Sequence, residues 1–348
     1  MPNILLEMQK LKNPFSGLGQ FCLHLGAELV GQLPSDIHPT FYLPENSIGI
    51  FGNDMKYVAQ SPLHKYLRLN SSRYDIWHCM HQDSSYLPSS ARTKLILTIH
   101  DLNFLEKYTG LKRKQKLRAL QKKVDRASLL TTISHYTADI VRQNLCLDAK
   151  PLRVIYNGNS LKAITDAHHP DYVPKGEFLF SIGILSAKKN FHSLIPLLQS
   201  NPDLHLIIAG NRNTPYAEQL IEQCKRAGVA SRVVLPGMIN DSDKYWLYRN
   251  CLAFVFPSLA EGFGLPVVEA MSLGKPVFLS NLTSLPEIGG KHAYYWKDFN
   301  PGHMQQVFED GLADYSSNPD KASKIAVQAS LFSWNSAAKA YLEIYRSL

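Results

Sequence analysis

The stretch Phe256-Pro257-Ser258-Leu259-Ala260-Glu261-Gly262-Phe263-Gly264-Leu265-Pro266-Val267-Val268-Glu269-Ala270-Met271 sets the fold class. It overlaps an apolar run, Leu252 to Phe256, short and aromatic, which reads as a buried strand of a parallel sheet. Gly262 and Gly264 make a turn, and Pro266, with its fixed φ and missing N–H, suits the first position of a helix. Strand, glycine turn and helix in that order place the turn at the carboxyl edge of an α/β sheet, where ligands bind. Bare glycine backbone and the unpaired donors of a helix start favour an anion such as a diphosphate.

Two carboxylates bracket this turn, Glu261 before it and Glu269 in what reads as the first turn of the helix. An acid there has an ordinary explanation, because it complements the helix dipole. The wider pattern adds to that: the same spacing comes with Gly274-Lys275-Pro276-Val277 and then Ser284-Leu285-Pro286-Glu287-Ile288-Gly289-Gly290. Together these segments resemble the donor site of the retaining GT-B glycosyltransferases known as glycosyl transferases group 1, a large family containing many bacterial mannosyltransferases. The resemblance spans nearly the whole chain, strongest from Phe178 to Gly290 and weakest before Leu95. It implies an α/β chain of the GT-B fold, with two Rossmann-like domains facing a cleft and a C-terminal helix returning to the first domain. It also implies roles: Glu261 on the donor sugar hydroxyls, Glu269 on the ribose hydroxyls, and the backbone of Phe263, Gly264 and Leu265 at the diphosphate.

With 348 residues the chain is long enough for two domains, each with its own core. A composition of 45% hydrophobic and 19% charged residues is that of a soluble globular protein. Met1 to Lys10 lacks a basic segment followed by a long apolar stretch, so no signal peptide is expected, and no apolar run reaches membrane-spanning length. Cys22, Cys79, Cys146, Cys224 and Cys251 are scattered without a CxxC pair, which fits reduced thiols in a cytoplasm better than a disulfide frame or a zinc site. A net charge of +8 favours an acidic partner: a phosphorylated ligand, anionic lipid or nucleic acid.

In the first half, Ile4 to Glu7 reads as a strand, and the loop Asn13 to Gln20 leads into a helix ending near Gly31. Gly17 and Gly19 suffice for a tight turn, and no Gly-Lys-Ser/Thr follows to make a P-loop. The resemblance implies a glycine loop between donor phosphates and acceptor at this place. Further strands are expected at Phe41 to Leu43, Ile48 to Phe51 and Asp75 to Met80, with His78 and His81 in structural or acceptor-side roles rather than on zinc. Leu95 to Ile99 is a buried-strand run ending in His100-Asp101; the Asp also fits a turn cap, and the resemblance implies a His there facing the donor sugar, so both are candidate catalytic residues. A basic amphipathic helix is expected over 106–130, carrying Lys112, Arg113, Lys114, Lys116, Arg118, Lys122, Lys123 and Arg126. It reads either as a solvated face or as an attachment to anionic membrane, where each cation adds about 1 kcal/mol. Leu129 to Ile133 and Ser134 repeat the strand-then-cap pattern, and the resemblance implies that the strand and Asn-Gly turn over Leu152 to Asn159 close the first domain.

The second half opens with the strand Phe178 to Ile182, then Gly183 and the pair Lys188-Lys189 just before a helix near Phe191, a reasonable diphosphate clamp. Lys189-Asn190 matches the family's phosphate-binding Lys followed by Gly or Asn. Many members carry Arg directly after the glycine; here that residue is Ile184, leaving Lys188 to supply the second cation. Two more strands end at Gly210 and Gly237, and the resemblance puts Gly210 in the donor site and the backbone of Met238 and Ile239 along the nucleotide base. Asp241-Ser242-Asp243 has the DxD spacing of a metal site, yet it precedes a helix and reads as cap and first-turn acids, so no metal is expected. The expected domains are 1–160 for the acceptor, a linker 161–176, 177–334 for the nucleotide sugar, and a terminal helix 335–348 packing back on the first domain.

The function implied is metal-independent, retaining transfer of a hexose from a nucleotide-diphosphate sugar, GDP-mannose first and a UDP-sugar second, to a glycan or lipid-linked glycan acceptor. Surface polysaccharide or lipopolysaccharide assembly in the cytoplasm, peripheral on the inner membrane face, is the expected setting. Alternatives are a non-hydrolysing nucleotide-sugar epimerase and a catalytically silent GT-B binding protein. Nucleic acid is not an expected partner, because the cations concentrate on one helix without interleaved aromatics.

Overall fold

The computed structural model describes residues 2–65 and 70–348. The chain divides into two units, Met1–Gly158 with Ser333–Leu348, and Asn159–Phe332. In the first unit the strands β1 (Asn3–Glu7), β2 (His38–Leu43), β3 (Lys56–Ala59), β4 (Ile76–Cys79), β5 (Lys94–Ile99), β6 (Leu129–Thr132) and β7 (Leu152–Val154) form one parallel sheet. Its order is β3-β2-β1-β4-β5-β6-β7, so the winding reverses between β1 and β4 and a ligand crevice is expected at the carboxyl ends there. Ile4, Leu5, Leu95, Ile96 and Leu97 are fully buried, which is why these strands read as continuous apolar runs rather than alternating ones. Around the sheet lie α1 (Gly17–Gly31), α2 (Phe104–Lys107), α3 (Gly110–Arg126) and α4 (His135–Asn144), the last capped by Ser134 Oγ accepting from Thr137 N–H.

Two sequence expectations change here. Ile48 to Phe51 is a turn, not a strand: Gly49 and Gly52 take positive φ, and the Tyr57 hydroxyl accepts from Phe51 N–H. The strand beyond it is β3, only four residues long and nowhere fully buried, too short for its Tyr-Val-Ala to stand out as an apolar run. The single basic helix expected over 106–130 is α2 and α3 followed by β6, because Gly110, with φ +57°, breaks the path between Lys107 and Leu111.

The second unit holds β8 (Phe178–Ile182), β9 (His205–Ala209), β10 (Val233–Gly237), β11 (Ala253–Phe256), β12 (Val277–Ser280) and β13 (Tyr294–Trp296), all parallel, in the order β10-β9-β8-β11-β12-β13. Its reversal lies between β8 and β11. The helices are α5 (Ile195–Ser200), α6 (Pro215–Arg226), α7 (Asp241–Asn250), α8 (Leu265–Ser272), α9 (Leu285–Gly289), α10 (Pro301–Ser317) and α11 (Lys321–Ser330). The stretch expected as a linker lies in this unit, with the His169 ring on Trp246 and the Tyr172 hydroxyl donating to Asp243.

The chain ends in α12 (Trp334–Ser347), part of the first unit and packed along α1. Ala338, Tyr341, Ile344 and Tyr345 form its buried face. The tyrosines enter a buried polar network: the Tyr345 hydroxyl lies 2.7 Å from His78 Nδ1, while His78 Nε2 meets Thr98 Oγ1 at 2.8 Å. Thr98 reaches Thr131 at 2.8 Å, and both reach the Tyr341 hydroxyl at 3.3 and 3.2 Å. His78 is thus structural. Among the described residues no helix is long and apolar enough to cross a membrane.

Candidate active site

At the β8/β11 reversal the lysine after β8 meets the carboxylate after β11. Lys189 Nζ lies 2.6 Å from Glu261 Oε1 and 4.4 Å over the Phe256 ring, and Ser258 Oγ donates to the same carboxylate oxygen at 2.5 Å. Both charged side chains are about 13% exposed. Burial alone would raise the Glu261 pKa; the Lys189 and Lys188 charges, with hydrogen bonds from Lys189 and Ser258, outweigh it and hold the carboxyl below its ordinary value. Burial draws the Lys189 ammonium below its ordinary value, opposed by Glu261. The Lys188 ammonium has no ion-pair partner among the described residues, and Ile184 beside Gly183 is half exposed.

Backbone geometry explains several residue choices. Asn190, following the clamp lysine, is left-handed at φ +56°, which Gly and Asn accept most readily. A Cβ on Gly210 would sit 2.0 Å from the Gly183 carbonyl oxygen, and the Gly210 N–H donates to Gly237 O, so Gly210 shapes the sheet edge rather than offering its donor to a ligand. Met238, just beyond β10, is 55% exposed and Ile239 is partly buried. The loop after Glu261 is held by residues that sequence reasoning did not single out for this role. Thr283 Oγ1 accepts from Glu261 N–H at 3.0 Å, and Ser284 Oγ donates to the carbonyls of Glu261 and Phe263 at 3.0 and 2.9 Å. Thr283 adopts φ +56°, strained for a β-branched residue. Gly264 precedes α8 and Leu265 opens it, so the Leu265 N–H has no acceptor within the helix.

Glu269 lies in the second turn of α8, not the first, so the dipole explanation does not apply to it. It is buried; Tyr248 donates to its Oε2 at 2.9 Å and Lys244 Nζ to its Oε1 at 3.2 Å. Burial and the Glu269 charge raise the Tyr248 hydroxyl well above its usual pKa. Asp241 and Asp243 occupy the first turn of α7, capped by Asn240, with Asp241 3.7 Å from Lys244 and Asp243 accepting from Tyr172. Among the described residues no three His, Cys, Asp or Glu side chains gather as a metal site.

In the first unit His100 follows β5, buried, with its backbone N–H donating to Gln82 Oε1 at 3.0 Å, its ring Nε2 on the Met80 carbonyl at 2.8 Å and the Phe21 ring edge-on at 4.5 Å. Burial pushes its ring pKa down to about 4. Asp101 Oδ1 accepts from Asn103 N–H, the local turn pattern that a strand-end Asp offers. Gly17 and Gly19 lie inside α1 rather than in the loop before it, with Ser16 Oγ accepting from Gly19 N–H. A Cβ on Gly19 would stand 2.1 Å from Asn13 O, so close backbone packing requires this glycine, while Gly17 has open space.

Two Rossmann-like parallel-sheet units, one carrying this lysine–carboxylate site at its winding reversal, define a GT-B glycosyltransferase fold. The family description "Glycosyl transferases group 1" matches residues 167–330 and "Glycosyltransferase Family 4" matches 35–162; the chain belongs to this glycosyltransferase family. It is 24% identical to O-antigen chain mannosyltransferase B of Escherichia coli, over 99% of this chain and 100% of that one. It is also 32% identical to the serotype-specific mannosyltransferase WbdA of Escherichia coli over 56% of this chain, a match spanning only 24% of WbdA's length. Among solved structures, Anabaena HepE in complex with UDP-glucose superposes with a TM-score of 0.78 at 19% identity over 100% of both chains, and Thermosynechococcus elongatus sucrose-phosphate synthase with 0.77 at 16%, over 100% of this chain and 99% of that one.

Proposed function

We propose that the chain is a retaining, metal-independent hexosyltransferase that moves mannose from GDP-mannose, or failing that a hexose from a UDP-sugar, onto a glycan or lipid-linked glycan of a bacterial surface polysaccharide. The observation that carries this reading is the Lys189–Glu261 pair at the β8/β11 reversal. Departure of a nucleoside diphosphate leaves negative charge, which the Lys189 ammonium, the Lys188 ammonium and the N-terminus of α8 offset without a divalent cation. Ionised Glu261 accepts from hydroxyls of the donor sugar, and Glu269, oriented by Tyr248 and Lys244, from the ribose. The acceptor hydroxyl enters on the face from which the leaving group departs, with His100 against the sugar. Mannosyltransferases among the similar proteins support mannose as the hexose. The exposed cationic start of α3 attaches the enzyme to an anionic inner membrane surface.

The test is thermal melting with GDP, UDP and GDP-mannose in EDTA, for the parent and Lys189→Gln. A GDP-selective rise that the substitution abolishes is expected, because a ligand of the folded state raises the melting temperature with its affinity. No rise with any nucleotide overturns the donor site. A β-linked product from an α-linked donor, read by NMR, overturns retention.

A further inference from the structure

His81 and His100 follow neighbouring strands, β4 and β5, beside the β1/β4 reversal at the carboxyl edge of the first sheet, and their ring centroids lie 5.6 Å apart. Both are more than nine-tenths buried. Their hydrogen bonds fix their protons. Asp83 N–H donates to His81 Nδ1 at 3.0 Å, so that nitrogen is bare and the neutral ring carries its proton on Nε2. His100 Nε2 donates to the Met80 carbonyl, so its Nδ1 is the bare nitrogen. Burial pushes the His81 ring down to about 2, so both rings are neutral at ordinary pH. Among the described residues neither His81 Nε2 nor His100 Nδ1 has a partner, yet neither atom is sealed from solvent.

The two rings therefore present one N–H donor and one lone pair side by side. A phosphate or carboxylate would satisfy the donor and be repelled by the lone pair. Hydroxyl groups, which donate and accept, satisfy both. We propose that His81 is a sugar-binding residue, its Nε2–H donating to one hydroxyl of a neutral hexose while His100 Nδ1 accepts from the adjacent one. The proposal rests on the transferase reading above, and it adds a residue that selects the hydroxyl pattern of the sugar.

Two substitutions separate binding from structure. His81→Asn keeps an acceptor for Asp83 N–H and removes the outward donor; His81→Gln keeps an outward N–H and gives up the Asp83 bond. The probes are GDP, GDP-mannose, and methyl α-mannoside in the presence of GDP, titrated calorimetrically. His81→Asn is expected to melt like the parent, bind GDP equally well, and lose about tenfold in affinity for a sugar-bearing probe, the effect of one hydrogen bond. Loss on GDP-mannose assigns the hydroxyl to the donor; loss on the mannoside alone assigns it to the acceptor. His81→Gln is expected to melt lower and keep most of the sugar-dependent affinity. Parent-like binding of both sugar probes by His81→Asn, or a parent that binds GDP but gains nothing from the sugar, overturns this inference and leaves the donor site intact. Failure of the parent to bind GDP is instead a failure of the transferase reading. Nitrogen-15 spectra of histidine-labelled protein test the pair independently: a proton on His81 Nδ1, or a charged ring at neutral pH, overturns it.

Discussion

Lys189 and Glu261 are each other's counter-charge in a poorly hydrated place, and removing one partner strands the other. Lys189→Met should cost about 3 kcal/mol, because a buried carboxylate then loses its ion-pair partner and keeps only the Ser258 hydrogen bond and the more distant Lys188 charge. Adding Glu261→Gln should recover most of that loss, since no uncompensated charge remains; urea melts of both single variants and the double close the cycle. A double variant no more stable than Lys189→Met would mean the pair is not coupled. Tyr248→Phe removes the donor to Glu269 Oε2 and should cost about 2 kcal/mol, with weaker nucleotide binding measured alongside. At this scale the sequence was legible where a motif is local: the family resemblance picks out Glu261, Glu269 and the lysine pair from short segments, and the structure pairs Lys189 with Glu261. Thr283, Tyr248 and Lys244 were not, because each acts on a residue more than twenty positions away and carries no pattern of its own.

Among the elements, α3 shows how alike residues on one helix divide their work. Leu111 to Lys116 are exposed without interruption, and Lys112, Arg113 and Lys114 sit at the end of the helix where the dipole disfavours cations. Lys123 Nζ instead donates to the carbonyls of Gln82 and Ser84, and Arg126 Nη2 to those of Ser90 and Thr93. Replacing Lys112, Arg113, Lys114 and Lys116 together by Gln should leave the melting temperature unchanged or higher and abolish co-sedimentation with phosphatidylglycerol vesicles. Arg126→Ala should leave vesicle binding alone and cost about 2 kcal/mol, from charged donors withdrawn from two carbonyls. Charge density along the sequence could not separate these two groups, because it records composition and not which loop carbonyls lie beneath the last turn. The apolar strands were legible for the opposite reason, since burial on both faces is written directly as a hydrophobic run. Ile48 to Phe51 has the same apolar look, but glycine backbone angles at Gly49 and Gly52 decide its path.

On the scale of the molecule, the first unit should be the first to weaken as pH falls from 6.5. His78, His81 and His100 are held neutral by burial, with pKa values of about 3, 2 and 4. Unfolded histidine takes up its proton near pH 6.5, before the native rings do. The unfolded state therefore binds more protons between that pH and the native values, and stability falls as pH is lowered through the window, by up to about 1.4 kcal/mol per pH unit for each ring. Above pH 7 the three contributions are fully present. Tryptophan and amide-exchange signals of the first unit should soften between pH 6.5 and 4 before those of the second; loss of both units at the same pH would contradict this. The apolar face of α12 was legible as a stripe, whereas its polar anchorage was not, since Tyr345 meets a histidine 267 residues earlier.

The terminal helix also fixes an order in time. The second unit is one uninterrupted segment, 159–332, while the first needs residues on both sides of it. A ribosome delivers the seven strands of the first sheet early, but His78, Thr98 and Thr131 wait for Tyr341 and Tyr345 until everything between has been made. The unit synthesised second is thus the first that can finish folding, reversing the usual N-terminal-first sequence. On the nascent chain the earlier sheet waits for α12, whose tyrosines complete its buried polar network.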